Sequence, residues 1–559
     1  MSATRLLLYR LLNQNKIGWL IIAIAAVSKA ILVAYFSNYE TDKSFYLLLA
    51  KNISAGEGLT IPVNLLNNPG ITENIYLPAA SSPLYSIIAA PLLKLFPGNY
   101  FLVTWLIESL SWLFLLVALR KLLLLLTENY YWTNLFILFA GAFLYTAETS
   151  SSGKDMLAVA LLFTSLFYCI KIGNPEFNPS FVYLLATAVL FLLPGLTKLT
   201  YKPLSLVFPL AVLLIGLLQQ EKALFRKGIA LFLITAVLFA LQHFYFQPLE
   251  KQAVASHPEY FSNRWTLAKS GDDFVAGFFP ENLQYMHPFI PSTVANLDVL
   301  GVQVKTFLPS IYYPYAVLVF SLHCAGLAIM IFALFYLARR YYRKKVPDKI
   351  FFLLTGLFVS LSLVFLLSLM SLRYQALEYK GTNYLWTFVY ESRAFLFPVI
   401  FLQLCLFAFL FAKEPSSVFL KIFRTLLFVI VGISFLHGIY FRAKKGIEML
   451  NPKQAMSSVN KLVTNDADST GKANSGHAVW LATETSHLDW YAKLHKQKVM
   501  NNLSVLNDSS FRLPSKTILL TAVAKEDTPR IRKYLLRNDV SLYKNYNNSF
   551  FVFRQGRTE

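Results

Sequence analysis

Charge is scarce in this chain. Asp, Glu, Lys and Arg make up 14% of its 559 residues while 56% are hydrophobic and the mean hydropathy is +0.50, a balance that excludes an ordinary soluble globular protein. Cysteine is scarcer still: Cys169, Cys324 and Cys405 are the whole complement. All three fall inside apolar runs, so no disulfide framework is expected. The polar tail from about 450 lacks a P-loop, a dinucleotide fingerprint and any zinc-ligand spacing.

What fills the chain instead is long apolar sequence. A hydrocarbon core of roughly 30 Å demands about twenty apolar residues of a helix. Runs of that kind lie at 17–36, 100–119, 132–147, 156–171, 181–197, 203–218, 228–246, 314–338, 350–370, 394–412 and 424–441. They predict an α-helical polytopic membrane protein of about eleven transmembrane helices, with the pair at 181–218 short enough to re-enter from one side. The runs are almost free of midplane charge. The first is too long, and too poor in small residues at its end, to be a cleaved signal.

Orientation follows from the basic residues, which concentrate in cytoplasmic loops. Arg5, Arg10 and Lys16, then Arg120 and Lys121, then Lys222, Arg226 and Lys227, then the cluster Arg339–Lys349, then Lys413, Lys421 and Arg424 share one side by parity. That side is the cytoplasm, and the N-terminus lies there. Loops 37–99, 248–313 and 371–393, with the tail from about 442, are then extracytoplasmic. Arg442, Lys444 and Lys445 break the rule locally, as long translocated segments tolerate. The net charge of +21 is absorbed by these anchors and by anionic membrane lipids, so nucleic acid is not an expected partner.

Two parts follow: a transmembrane part over 1–445 and a soluble extracytoplasmic α/β domain over 446–559. The second is polar, with strand-like runs at 478–482, 516–524, 541–543 and 549–554. Thr528-Pro529 has the pattern of a helix start leading into 530–537, a hydroxyl cap with proline at the first helical position. A scaffold and an acceptor-recognition role are both open to this domain.

Four local patterns lie at the predicted external ends of the spans. The first runs Asp42-Lys43-Ser44-Phe45-Tyr46, then Ala50-Lys51-Asn52, Gly56-Glu57-Gly58 and Pro83-Leu84-Tyr85. The second is Ser152-Gly153-Lys154-Asp155-Met156-Leu157, the third Leu196-Thr197-Lys198-Leu199, and the fourth Glu391-Ser392-Arg393-Ala394-Phe395-Leu396-Phe397-Pro398. Together, over about 1–440, they resemble the GT-C glycosyltransferases, integral membrane enzymes that use polyprenyl-phosphate-linked sugars and include protein mannosyltransferases and the lipid A aminoarabinose transferase. The chain departs from that pattern in places. Thr41 replaces the first acid of the pair with Glu40 displaced by one, Lys198 stands for an arginine with its proline moved to Pro203, and Ala394 replaces an aromatic. The resemblance implies hexosyl or pentosyl transfer to a glycan, lipid or protein acceptor, in a bacterial inner membrane with an undecaprenyl carrier.

The chemistry sorts the candidates. An acceptor hydroxyl attacking an anomeric carbon needs a base, a contribution of about a hundredfold to ten-thousandfold. Asp42 is the first candidate, with Glu40 and Asp155 behind it. A helix beginning at Thr41 places Asp42 in its first turn, where the dipole favours a carboxylate by roughly 0.3–1 kcal/mol. The departing phosphate gains charge and calls for fixed cations. Arg393 leads because a guanidinium binds phosphate oxygens in pairs, followed by Lys198, Lys202 and Arg373. Glu391 orients Arg393 or binds a sugar hydroxyl, and Tyr85 and Lys154 complete the candidate substrate contacts.

Each residue also has a plain structural role open to it. Asp42 can be a solvated boundary residue, Arg393 can snorkel, Lys198 and Lys202 can be interfacial anchors, and Lys154 can pair with Asp155. Asp272, Asp273, His257 and His287 share the loop 248–313, but their spacing matches no tight ligand motif, so no metal ligand is assigned and a divalent cation stays open. From other classes, a lipid-carrier flippase or transporter and a non-catalytic envelope-glycan assembly protein are the alternatives. A ligase moving whole oligosaccharides from a diphosphate carrier is the alternative within the enzymes.

Overall fold

The structure, a computed structural model, describes residues 3–36, 41–65, 68–76, 78–143, 153–174, 176–256, 265–267, 331–332, 334–372, 396–405, 418, 422, 478–482, 498–500, 506–507, 517–524, 528–529, 531–537, 539–546 and 550–555. Packing divides the chain into two compact units. One comprises Met1–Val33, Glu108–Thr149 and Gly153–Phe441; the other comprises Ala34–Ile107, Ser150–Ser152 and Arg442–Glu559.

The first unit is helical. Its elements are α1 (Ala3–Leu12), most of α2 (Asn15–Phe36) and most of α5 (Tyr100–Thr127), then α6 (Tyr130–Phe143), α7 (Gly153–Gly173), α8 (Phe181–Thr197), α9 (Leu204–Gln219), α10 (Lys222–Ser256), α11 (Asp348–Leu369) and α12 (Leu396–Cys405). Among the described residues, four helical segments are long and apolar enough to cross a membrane: Tyr100–Thr127, Lys154–Gly173, Leu199–Gln219 and Lys222–Ser256. The protein is therefore a helical membrane protein. The runs at 314–338 and 424–441 lie mostly or wholly outside the described residues.

Local sequence sets the helix ends. The Ser180 hydroxyl accepts the Tyr183 N–H at 3.3 Å and opens α8, satisfying one of the donors a helix start leaves orphaned. Proline in the last turn of α8 weakens its continuation. Lys198 swings to an extended conformation, its N–H bonding back to Pro194 O, and the 3-10 turn Leu199–Tyr201 leads through Pro203 into α9. Gln220 closes α9 in the left-handed region at φ 55° and gives its N–H to Gly216 O and Leu217 O.

The α9–α10 hairpin is drawn close by small residues. A β-carbon on Gly216 would stand 2.7 Å from the Phe225 nitrogen, and one on Gly228 would stand 2.6 Å from Leu213 Cα. In lipid, where apolar burial gives no drive, such close backbone approach is what holds helices together. The core behind them is aromatic. Phe191 stacks on Phe208 at 5.2 Å, and Phe397 lies 4.8 Å from Phe163 and 6.3 Å from Phe401, centroid to centroid.

The second unit contains α3 (Thr41–Ala55), a β-hairpin of β1 (Ile61–Leu65) and β2 (Asn68–Ile75), α4 (Leu84–Leu95) and a five-stranded sheet. Tyr46 of α3 meets Tyr85 of α4 edge to face at 6.1 Å, and the Ser86 hydroxyl donates to Tyr46 O at 2.8 Å. A two-stranded pairing of β3 (Trp265–Leu267) with β4 (Met370–Leu372) belongs to the first unit.

The sheet contains β5 (Ala478–Ala482), β6 (Lys498–Met500), β7 (Thr517–Ala524), β8 (Val540–Tyr546) and β9 (Phe550–Gln555) in the order β6-β5-β7-β9-β8. Its first three strands are parallel, and the last two form an antiparallel hairpin added to β7. The strand-like runs of the sequence fall on β5, β7, β8 and β9. Leu506, Leu519, Val523, Ile531 and Tyr534 form the core on one face, with the one-turn helix Arg532–Leu535 carrying Tyr534 inward.

Candidate active site

Asp155 occupies the first turn of α7 and is 1% exposed. Lys198 follows the last residue of α8, released from the helix by the turn around Pro194. The two side chains meet: Lys198 Nζ lies 2.7 Å from Asp155 Oδ1. The second and third of the four sequence patterns, remote along the chain, therefore share one ion pair. The arrangement fits the helix dipole, with the carboxylate at the positive end of α7 and the ammonium at the negative end of α8.

Three residues further on, Tyr201 is completely buried, and its ring lies 5.6 Å from Lys198 Nζ. Lys202 comes next, half-buried, with its own ammonium 5.6 Å over the ring of Phe239 on α10. The turn is fixed from below. A β-carbon on Gly195 would stand 2.6 Å from Lys202 Cα, so only glycine lets the strand-like exit of α8 fold back on it.

The result is a buried carboxylate that holds one ammonium in place, with a second ammonium four residues further along the chain. A buried charge is tolerated when paired, and the pairing fixes the direction of both partners. Such a cluster can present positive charge at a defined point, which is what stabilises a developing phosphate anion. Asp155 in this setting acts on Lys198. Lys154, half-buried, precedes it at the start of α7.

The remaining predicted residues separate into two groups. Asp42 stands in the first turn of α3, which begins at Thr41. Tyr85 is 1% exposed and packs on Tyr46, so its ring serves the α3–α4 contact. Glu40, Arg373, Glu391 and Arg393 lie outside the described residues, as do Asp272, Asp273, His257 and His287.

The loop after α3 is shaped by a polar network. Gly56 and Gly58 take φ of 84° and 76°, open to glycine with least strain. Asn52 Nδ2 donates to Thr60 O at 3.0 Å and to Asn74 Oδ1 at 3.0 Å, and Asn74 Nδ2 donates to Glu57 Oε2 at 2.6 Å. The Asn of the Ala-Lys-Asn run thus ties the glycine turn to the β1–β2 hairpin.

One expectation needs correction. The spans carry more buried charge than apolar runs suggest: Lys29 on α2 and Glu108 on α5 are each 2% exposed, and the Lys29 ammonium sits 5.5 Å over the ring of Trp112, one turn from Glu108. A single Lys or Glu barely lowers the hydropathy of a twenty-residue window, which is why the average hides it. The usable signal is the residue type itself, because an ionisable group inside an apolar run is expensive and needs a partner.

No family model matches the chain, and no curated protein matches it. Among solved structures it is similar to a crystal structure of ArnT from Cupriavidus metallidurans bound to undecaprenyl phosphate. That likeness has 12% identity and a TM-score of 0.46, covering 96% of this chain and 98% of the other. At that identity it assigns no residue a role.

Proposed function

We propose that this protein is a membrane glycosyltransferase of GT-C type that moves a sugar from a polyprenyl-phosphate donor to an acceptor on the extracytoplasmic side. The observation that carries the proposal is the Asp155–Lys198 pair at 2.7 Å. It supports the view that the second and third sequence patterns of this class belong to one site, since they meet through their charged residues.

In the proposed reaction the acceptor oxygen attacks the anomeric carbon, the bond from that carbon to the phosphate oxygen breaks, and the acceptor proton passes to Asp42. Asp42 lies in the first turn of α3, the end of a helix whose dipole favours a carboxylate. Lys198, aimed by Asp155, and Lys202 offset the charge that grows on the departing polyprenyl phosphate, with Arg393 as the bidentate partner. Asp155 is then a positioning residue, and the base is Asp42 or its neighbour Glu40.

The test is release of sugar from a panel of radiolabelled polyprenyl-phosphate donors by purified protein in nanodiscs, wild type beside Asp42→Asn. Turnover of one donor, reduced at least about a hundredfold in a folded Asp42→Asn protein, is the expected result. A wild type that consumes no donor yet moves the lipid carrier between leaflets would overturn the enzyme in favour of a flippase. Equal turnover by both proteins would remove Asp42 as the base.

A further inference from the structure

Where α1, α2, α5 and α6 meet, the structure buries a guanidinium without an acid. Arg120 on α5 is 3% exposed. Its Nη2 donates to Asn15 Oδ1 at 2.6 Å, its Cζ lies 4.7 Å from the centroid of the Trp19 ring, and its Nε has no hydrogen-bond partner among the described residues. No described carboxylate pairs with it. Neutral acceptors and an aromatic face reduce the cost of burying such a charge but do not cancel it, and buried charges are ordinarily neutralised.

The surroundings deepen the deficit. Residues 1–39 contain no Asp or Glu, and Arg10, Lys16 and Lys121 are exposed at this end of the helices. Lys121 and Lys171 both approach the ring of Phe167, at 6.0 and 5.7 Å. Glu128, in the turn between α5 and α6, is exposed. Among the described residues this corner therefore carries an excess of positive charge, which an anionic headgroup complements.

The same corner is apolar on its outer side. Leu6, Leu7, Tyr9 and Leu11 of α1 are 40–71% exposed, and Trp19 at the start of α2 is 45% exposed. A short helix with exposed leucines and flanking arginines is the form that lies in a membrane interface, and tryptophan is enriched at that depth. The helix is also held firmly. Asn134 of α6, fully buried, donates to Leu12 O at 2.7 Å and Gln14 O at 2.9 Å, and Tyr9 meets Tyr131 at 5.0 Å. Gly18 completes the corner, because a β-carbon there would collide with Asn134 Oδ1 and stand 2.7 Å from Arg120 Nε.

We infer that the α1–α2 corner is a binding site for the phosphate headgroup of an anionic phospholipid, held at the surface by the exposed Arg10, Lys16 and Lys121 over the buried, acid-free Arg120, with its acyl chains against the leucines of α1. Charge complementarity selects the headgroup, and the exposed apolar face selects a lipid over a free anion.

The full-length protein is extracted into mixed micelles holding equal phosphatidylglycerol and phosphatidylcholine, and retained lipid is measured by native mass spectrometry beside the thermal unfolding midpoint. Wild type is expected to retain phosphatidylglycerol preferentially and to melt higher in its presence. The Arg10→Gln/Lys16→Gln protein changes only exposed side chains and keeps its fold. It is expected to bind phosphatidylglycerol about fivefold more weakly for each charge removed. Arg120→Gln, where it folds, is expected to lose the preference. Equal retention of the two lipids by wild type, or an undiminished preference in Arg10→Gln/Lys16→Gln, would overturn the site. Displacement of the lipid by an equal concentration of inorganic phosphate would overturn its assignment to a lipid.

Discussion

Gly195 and Lys202 face each other so closely that a β-carbon on the first would lie 2.6 Å from the α-carbon of the second. The contact is backbone against backbone and has no flexible side chain to yield. Gly195→Ala is therefore expected to destabilise the protein by about 1–3 kcal/mol and to shift Lys202 outward. A lower thermal midpoint in detergent, with weaker donor binding, checks this; an unchanged midpoint would mean the turn relaxes freely.

The Asp155–Lys198 pair separates structure from chemistry. Removing one partner leaves a buried charge alone, at a cost of about 3–5 kcal/mol, whereas replacing both by apolar residues is often neutral. Lys198→Met and Asp155→Leu should each lower stability, and the double substitution should recover most of it. Sugar transfer should stay depressed by about a hundredfold or more in all three. Full activity in the stable double variant would reduce the pair to a structural clip.

Asn52 supports the glycine turn after α3 through three acceptors, Thr60 O, Thr60 Oγ1 and Asn74 Oδ1. Asn52→Ala leaves those groups without their donor and should cost about 1–3 kcal/mol. Limited proteolysis is the readout, with cleavage between Gly56 and Asn74 faster in the variant.

Tyr534 gives the sheet a defined alkaline weakness. Burial pushes its hydroxyl up to about 12 despite the hydrogen bond from Thr521 Oγ1 at 3.0 Å. An unfolded tyrosine ionises near pH 10, so above that pH the unfolded state releases a proton that the folded state still holds. Stability from this group is complete below about pH 10 and is lost as pH rises through about 12, roughly 2–3 kcal/mol in all. Denaturant titrations from pH 8 to about pH 12 should show that slope in wild type and a shallower one in Tyr534→Phe.

Much of the helical layout was legible from apolar runs. The run 181–197 coincides with α8, and 17–36 and 156–171 fall within α2 and α7. Helix α10 was underestimated, because Lys222–Lys227 and Gln247–Ser256 continue the helix without continuing the apolar signal. The β1–β2 hairpin left no trace: Pro62, Pro69 and Gly70 interrupt any alternation. In the tail, strand positions were readable from β-branched and aromatic runs, but β6 is only Lys498–Met500, and its parallel pairing with β5 depends on contacts that no local pattern encodes. Of the site, residue types and their order were readable. That Asp155 and Lys198 meet was not, since a pairing across the α7–α8 hairpin depends on how α8 unwinds after Pro194.

The 35 residues of α10 make a rod of about 52 Å, against a hydrocarbon layer of roughly 30 Å. Even with a generous tilt, such a rod outreaches the oil. Phe244 and Tyr245, both more than 60% exposed, are of the kind that favours the water boundary of a bilayer, and the polar Gln247–Ser256 continues beyond them as helix. The helix is therefore longer than the layer it has the apolar length to cross, and the surplus, from Gln247 through Pro248 to Ser256, is the part whose polar sequence suits water.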